Sequence, residues 1–226
     1  MISTVPELLV RDMQVKSRTG RQLLQVDALR VAAGECLAVR GPSGAGKSTL
    51  LFALAGLIPV TDGSITWGGR EIAGTSESKR AAFRRETCGI VFQDHLLFEE
   101  LSAQYNAGLS ALFAPKSARE EIDERGSTML ATLGVDASDR RGSESYSGGE
   151  RQRIAVARAL AGDPAVILAD EPTASLDRAN ADRLIDDLFS QARAKRKTLI
   201  AVSHDPALLK AADRVVTLQD GVLAAP

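Results

Sequence analysis

The chain has little of what a disulfide-stabilised, metal-cluster or nucleic-acid-binding protein needs. Its 226 residues include two cysteines, Cys36 and Cys88, too few for a disulfide framework or a cysteine-ligated metal. We expect both to be buried thiols in a reducing compartment. The net charge is −1, so no overall attraction to nucleic acid or to an anionic membrane surface is expected. No nucleic-acid partner is therefore predicted.

Long apolar runs are also missing. A helix that crosses a bilayer needs about 20 apolar residues, whereas the longest run here, residues 50–60, is interrupted by Gly56 and Pro59. The first twelve residues contain no basic stretch followed by an apolar segment, so no secretory signal is expected there. Any role at a membrane is predicted to depend on another polypeptide.

What is present is an alternation of strand-like and helical segments, in a chain short enough for one domain. Strands are predicted over residues 8–15, 35–41, 64–67, 165–170, 198–203 and 214–221. Between residues 96 and 160 the apolar residues have helical spacing, with Pro115 separating two patterns and Gly134 ending the second. Such alternation predicts an α/β fold with a mostly parallel sheet.

The clearest motif is GPSGAGKST at residues 41–49, which fits G-x-x-x-x-G-K-[ST] between an apolar strand and an apolar helix. Glycines let the backbone approach a phosphate closely, and amide groups at the following helix start face it. Lys47 is expected to pair with β- and γ-phosphate oxygens, and Ser48 to ligate Mg²⁺. The predicted phosphate-binding residues are Gly41, Pro42, Ser43, Gly44, Ala45, Gly46, Lys47, Ser48 and Thr49. The motif alone indicates a nucleotide binder, a class that includes kinases, GTPases and helicases.

A pair of acids follows the apolar run AVIL near the other end of the chain. Asp170 and Glu171 are placed at the carboxyl end of a buried strand, where open α/β sheets bind their ligands. Asp170 is suited to hold Mg²⁺ through water, and Glu171 to polarise a water molecule that attacks the γ-phosphate. A glutamate here predicts hydrolysis in addition to nucleotide binding.

A second anion site is predicted at the helix start in YSGGERQR. The Ser147 hydroxyl and the amides of Gly148 and Gly149 precede a helix with good helix formers, and Glu150 follows them. One chain would then have two phosphate-binding helix starts about a hundred residues apart.

Together these motifs resemble those of the ATP-binding cassette (ABC) ATPases over essentially the whole chain. YSGGERQR is similar to their signature, usually written LSGGQ, with Tyr146 and Glu150 as variants. The compact length and the GGERQR form look most like the lipoprotein-release, macrolide-export and cell-division branch. The resemblance implies ATP and Mg²⁺ as cofactors and ATP hydrolysis as the activity.

The family's fold is then expected: a P-loop NTPase (RecA-like) α/β core with a mostly parallel sheet, an N-terminal antiparallel β subdomain and an inserted α-helical subdomain. The expected limits are residues 1–93 and 162–226 for the core and 94–161 for the helical subdomain that contains the signature.

Further site residues follow from the resemblance. Gln93 matches the Q-loop glutamine, which touches Mg²⁺ or the water; Asp177, after Ser175 and Leu176, matches the D-loop; and His204 matches the switch histidine at the γ-phosphate. The family stacks adenine on an aromatic residue ahead of the phosphate loop, but no Phe, Tyr or Trp occurs here before Phe52. Arg18, or else Lys16, lies in roughly the right place, so weak adenine contacts and loose base selectivity are expected.

The resemblance also implies two kinds of partner. Residues 41–49 of one copy and Ser147 to Glu150 of a second, expected to be identical, would enclose one ATP. Integral membrane permease subunits would be met through a groove that includes His95, Leu96, Leu97, Phe98 and Leu101, which would place the chain at the cytoplasmic face of the membrane. About half of these apolar residues are equally explained as core. The basic cluster Lys79, Arg80, Arg84 and Arg85 is expected to be a solvated helix face.

A solute importer, a non-transport ABC ATPase and a small-molecule kinase remain as alternative functions.

Overall fold

A computed structural model describes residues 5–224. The strands are β1 (Leu8–Lys16), β2 (Gln22–Val31), β3 (Cys36–Arg40), β4 (Asp62–Trp67), β5 (Arg70–Glu71), β6 (Cys88–Val91), β7 (Val166–Asp170), β8 (Thr198–Val202), β9 (Arg214–Gln219) and β10 (Val222–Leu223). The helices are α1 (Lys47–Leu54), α2 (Glu77–Thr87), α3 (Ala103–Ala107), α4 (Lys116–Thr132), α5 (Gly148–Ala161), α6 (Arg178–Ala194) and α7 (Pro206–Ala211), with 3-10 turns at Leu109–Phe113 and Ser143–Ser145.

The ten strands found within residues 5–224 form one sheet in the order β5-β4-β1-β2-β10-β9-β3-β8-β7-β6. Strands β9, β3, β8, β7 and β6 are mutually parallel, while β5, β4, β1 and β2 pair antiparallel. The α/β core and the antiparallel N-terminal strands expected from the family are thus confirmed. The mostly parallel sheet expected of the core is found in β9, β3, β8, β7 and β6, and β10 joins the two parts by pairing parallel with β2 and antiparallel with β9.

The segment between β6 and β7, residues 92–165, is called the helical stretch here, and two breaks predicted within it coincide with backbone features. Pro115 immediately precedes α4, and Gly134 follows it with a φ of +70°, a conformation that glycine adopts without the strain other residues meet. α4 packs against α5, which buries residues such as Ile154, Ala157 and Ala161. Between residues 92 and 165 the structure contains helices and turns, with strands on both sides of them.

The strand β2 and the short strands β5, β6 and β10 were not predicted, because their patterns are brief or mixed. The basic cluster is also only partly solvated, so that prediction is wrong for two of its members. Arg80 and Arg84, with side chains 16% and 19% exposed, both ion-pair with Glu77, and Arg84 also donates to the carbonyl of Gly56. Arg84 therefore links α2 to the turn after α1, and both side chains are largely shielded from solvent.

No helix in the part of the chain that the structure describes is long and apolar enough to cross a membrane. Cys36 is buried and Cys88 is half-buried, and both are free thiols. Burial raises the pKa of Cys36 to about 11 and that of Cys88 to about 12, so neither is a thiolate at neutral pH. The predicted core includes residues 1–4 and 225–226, which lie outside the described range.

Candidate functional site: a phosphate-binding loop and its neighbours

The loop between β3 and α1 is fixed by glycines that no larger residue could replace. Gly46 has a φ of +97° immediately before α1. A Cβ at Gly41 would lie 2.1 Å from the carbonyl oxygen of Leu218 in β9, far inside van der Waals contact. The loop can therefore lie tightly against the carboxyl end of β9.

A cavity of about 570 Å³ opens over this loop at the carboxyl end of the parallel strands. Its lining consists of Gly41, Pro42, Ser43, Gly44, Gly46, Lys47, Ser48, Thr49, Gln93, Glu171, Ala174 and His204. The fold thus brings residues from four separated motifs to one place. Ala45 is buried beneath the loop and does not line the cavity.

Lys47 is held in the loop by its own backbone. Its Nζ donates to the carbonyl oxygens of Gly41, at 2.9 Å, and of Pro42, at 3.2 Å. The same Nζ lies 3.8 Å from Oε1 of Glu171, and both side chains are only 11% exposed. The ammonium group is therefore already positioned in the cavity, and its partial burial strengthens any charge interaction made there.

Asp170 lies below the cavity at the end of β7. Its side chain is buried, and its Oδ1 has no hydrogen-bond partner among the described residues. Burial raises the pKa of Asp170 above its ordinary value, against the effect of a hydrogen bond from Ser48. Mg²⁺ prefers oxygen ligands. The buried Asp170 carboxylate, with one oxygen that makes no hydrogen bond, and the neighbouring Ser48 hydroxyl are ligands of that kind, so these residues fit Mg²⁺.

Glu171 and His204 meet at the cavity wall. Nδ1 of His204 lies 3.1 Å from Oε2 of Glu171, while its ring is mostly exposed. Glu171 has a φ of +44°, unusual for a residue with a side chain, and its amide donates to the carbonyl of Val202 in β8. This strained backbone turns the carboxylate into the cavity, at the position suited to a water-activating base.

The signature residues lie at the start of α5 and do not line the cavity. Ser147 caps the helix, and Oε2 of Glu150 accepts from both the amide and the hydroxyl of Ser147 at 2.8 Å. The Ser147 oxygen in turn accepts from the Glu150 amide at 3.3 Å, which completes a capping box. The amides of Gly148 and Gly149 occupy the first helical turn, where no intrahelical acceptor is available.

The predicted D-loop packs against the start of α5. Asp177 caps α6 by accepting from the amide of Asn180 at 3.0 Å. A Cβ at Gly149 would lie 3.0 Å from Leu176, so the signature glycine packs closely on this loop. A residue larger than glycine at position 149 would therefore press against the D-loop.

One network was missed by reasoning from the sequence. Asp205, next to His204, accepts from Thr173 at 3.2 Å and from Arg178 at 3.0 and 3.1 Å, and it also caps α7. It thereby joins the segment after Glu171 to the turn that holds His204. The motif residues gave no signal of this link, because Asp205 is 27 positions or more from either partner.

The predicted adenine contact stands apart from this cavity. Arg18 is exposed in the turn between β1 and β2 and is not among the residues that line the phosphate cavity. Lys16 pairs instead with Asp62, at 3.5 Å.

A second cleft, of about 540 Å³, lies between α2 and β6 on one side and the helical stretch on the other. Its walls include Arg84, Ile90, Phe113, Ile122 and Arg158. None of the five residues predicted to meet a membrane partner lines it. Leu96 and Phe98 are nonetheless more than half exposed, whereas Leu97 packs against a core cluster.

Known proteins are similar to this chain in sequence and in fold. The family described as "ABC transporter" matches residues 24–174. The lipoprotein-releasing system ATP-binding protein LolD of Zymomonas mobilis subsp. mobilis is 40% identical over 217 residues, covering 95% of this chain and 93% of that protein. The macrolide export ATP-binding/permease protein MacB of Rhodopseudomonas palustris is 42% identical over 87% of this chain, which spans 30% of that protein.

Among solved structures, the ATP-binding cassette MJ0796, seen as a dimer bound to ADP and Pi, superposes with a TM-score of 0.88 at 27% identity, covering 96% of this chain and 97% of that one. The expected likeness to the lipoprotein-release and macrolide-export branch is confirmed by these relatives. The chain therefore belongs to the ABC transporter family and is an ATP-binding, ATP-hydrolysing subunit of that family.

Proposed function

We propose that two copies of this chain bind ATP head to tail, each ATP lying between residues 41–49 of one copy and Ser147 to Glu150 of the other. One observation carries the proposal. Of the two helix starts predicted to bind anions, that of α1 lines the cavity, whereas the signature residues at the start of α5 lie outside it. A second copy supplies the missing wall. The relative seen as a dimer with ADP and Pi supports this arrangement.

Within such a site the residues of the cavity divide the chemistry. Lys47 and the loop amides hold the β- and γ-phosphates, and Ser147 with the amides of Gly148 and Gly149 binds the γ-phosphate from the other side. Glu171 takes the proton of the attacking water, and His204, in contact with Glu171, steadies the carboxylate and the γ-phosphate. Asp177 contributes at the boundary between the copies.

Mg²⁺ would be held by Ser48, Gln93 and Asp170, and when bound it neutralises phosphate charge. Ser48 and Gln93 line the cavity, and Asp170 is buried directly under it. Gln93 follows β6 by two residues and so connects this group of oxygen donors to the helical stretch.

We further propose that the chain acts on an integral membrane permease at the inner face of the membrane. If the chain divides into a core (residues 1–93 and 162–226) and a helical subdomain (94–161), as the family resemblance implies, the 540 Å³ cleft is lined by residues of both parts. Exposed apolar side chains, Leu112 and Phe113 among them, lie on the helical side. A short helix of the permease fits this cleft, and the relatives' names, lipoprotein release and macrolide export, support such a partner.

Complementation between two inactive variants tests the shared site. Lys47→Ala disables the phosphate loop, and Gly148→Asp places an anion at the signature; a Cβ there meets no atom closer than 3.8 Å, so folding is preserved. Each variant alone should be inactive. In an equal mixture about half of the dimers are mixed, and each mixed dimer has one intact site out of two. The mixture should therefore regain at most roughly a quarter of the wild-type ATPase rate.

The control is a mixture of Lys47→Ala with Ser48→Ala, which damage the same half-site and should stay inactive. A wild-type rate per chain that stays constant through wide dilution, together with no complementation, would rule out the shared site. Co-purification with a multi-spanning membrane protein separates transport from a non-transport ABC role.

A further inference from the structure

Glu150 raises an electrostatic difficulty at the proposed γ-phosphate site. Its carboxylate lies at the start of α5, hydrogen-bonded to Ser147, where a phosphate would have to approach. Hydrogen bonds from the Ser147 amide and hydroxyl hold the pKa of Glu150 below its ordinary value, so it is charged at neutral pH. An uncompensated carboxylate would repel the phosphate that the helix start attracts.

The Ser147 hydroxyl is also engaged. It has a single proton, which it donates to Oε2 of Glu150. To donate to a phosphate oxygen instead, the hydroxyl must release Glu150, and Glu150 then needs another partner.

Arg141 is placed to be that partner. Its Nη2 lies 3.4 Å from Oε1 of Glu150, the carboxylate oxygen that Ser147 does not use. The guanidinium is fixed by three other contacts: Asp139 at 2.6 Å, the carbonyl of Ser145 at 3.3 Å, and the ring of Tyr146, whose centroid lies 3.9 Å away. The two variant positions of the signature, Tyr146 and Glu150, are thus the two side chains of that motif that Arg141 contacts.

The charge of Arg153 also lowers the pKa of Glu150, after that of Arg141. Arg153 lies on the same helix, but its Nη1 is directed at Oδ1 of Asn180, at 3.5 Å. Arg141 is therefore the cation that ion-pairs with Glu150 among the described residues.

We propose that Arg141 is a positioning residue for the signature: it neutralises Glu150 and draws its carboxylate off Ser147, which frees the Ser147 hydroxyl for the γ-phosphate of an ATP bound to the second copy. This inference rests on the proposed head-to-tail site. In it, Arg141 contacts neither ATP nor the attacking water molecule and acts through Glu150. Tyr146 provides the flat surface that keeps the guanidinium within reach of the carboxylate.

The test is a double-mutant cycle on ATP-dependent dimerisation, measured by light scattering with Mg-ATP in the Glu171→Gln background, where hydrolysis is blocked. Arg141→Met should weaken the dimer about tenfold when Glu150 is present. The same change should have less than about a twofold effect when combined with Glu150→Gln, because no charge is left to neutralise. Arg141→Lys, which keeps the charge, should recover most of the affinity.

The matched control is Arg193→Met. Arg193 likewise stacks on an aromatic ring, that of Phe189 at 5.6 Å, and ion-pairs with a carboxylate, Asp213 at 2.9 Å, but it lies on α6. It should leave dimerisation unchanged in both backgrounds.

The outcomes separate the two proposals. If Glu171→Gln forms no dimer with ATP, the head-to-tail site itself fails. If it does dimerise but Arg141→Met weakens the dimer equally with and without Glu150→Gln, or in neither case, Arg141 has only a structural role and the inference is wrong. If circular dichroism shows that Arg141→Met folds poorly, Arg141→Lys and Arg141→Gln are compared in the same cycle. The inference then holds only if Arg141→Gln weakens the dimer, Arg141→Lys does not, and the effect of Arg141→Gln disappears when Glu150→Gln is also present.

Discussion

Arg158 on α5 donates through Nη2 to the backbone carbonyl oxygen of His95, at 2.6 Å, across 63 positions of sequence. Its Nη1 reaches the carbonyl of Leu96 as well. His95 and Leu96 both have positive φ angles, of 60° and 49°, which residues with side chains rarely adopt. The signature helix therefore holds the strained turn that follows Gln93, so one side chain connects the two segments.

Arg158→Met should release this turn. Two carbonyls lose a charged donor, so the free energy of unfolding should fall by about 2 kcal/mol, measured by urea denaturation, and amide exchange should rise over residues 93–97. Arg119→Met is the control, since Arg119 is exposed and donates to one carbonyl, that of Ala114. Equal losses in the two variants would show that the turn does not depend on Arg158.

Glu171→Gln should bind ATP normally and accumulate an ATP-bound dimer. The amide keeps the shape of the carboxylate but cannot accept the proton of the attacking water, so the hydrolysis rate should fall about a hundredfold or more. Phosphate release and gel filtration measure the two effects. Turnover equal to the wild type would remove Glu171 from its role as base.

Lys47→Ala should lose nucleotide binding. The ammonium is pre-positioned by two carbonyls and partly buried, so its removal should lower ATP affinity by about a hundredfold. Equilibrium binding of a fluorescent ATP analogue provides the measurement, with the exposed Lys79→Ala as control. Micromolar affinity in Lys47→Ala would contradict the phosphate role.

Base selectivity should be loose, because no aromatic residue precedes the phosphate loop and Arg18 is exposed in a turn away from the cavity. The GTPase rate should then lie within about tenfold of the ATPase rate, with phosphate contacts supplying most of the affinity. A GTPase rate well below one-tenth of the ATPase rate would point to an adenine contact elsewhere. Arg18→Met checks whether its guanidinium contributes.

The Asp205 network should make stability depend on pH. Burial disfavours the Asp205 carboxylate, but hydrogen bonds from Arg178 and from the Ala207 amide outweigh it and lower its pKa below the ordinary 3.8. A carboxyl group with a lowered folded-state pKa stabilises the fold above its ordinary pKa and loses that contribution as the pH falls through the lowered value. Arg178→Met should therefore lower the melting temperature at pH 7, and the difference from wild type should shrink below pH 3.8. A difference that stays constant with pH would exclude this origin.

The motifs that could be predicted are those whose geometry is local. Gly46 and Lys47 specify the phosphate loop within a few residues, and the acids after β7 follow directly from its apolar run. The capping box was also within reach, since Ser147 and Glu150 have the S-x-x-E spacing that defines it. In the sequence these residues suggested an anion site alone.

What could not be predicted depends on chain segments far apart. β2 has a mixed burial pattern, and its place follows from pairing with β1 and β10. The ties of Asp205 to Thr173 and Arg178, and of Arg158 to the turn after Gln93, join positions that only the folded sheet brings together. Their residue types occur throughout the chain, so no local pattern distinguishes them.

Leu112 and Phe113 have a practical consequence. These two side chains, 64% and 70% exposed, are neighbours in the sequence and place exposed hydrophobic surface on the helical stretch. We expect a preparation of the chain by itself to self-associate as it is concentrated, which light scattering would detect. Replacing both side chains with polar residues should then raise the concentration at which the chain stays monomeric.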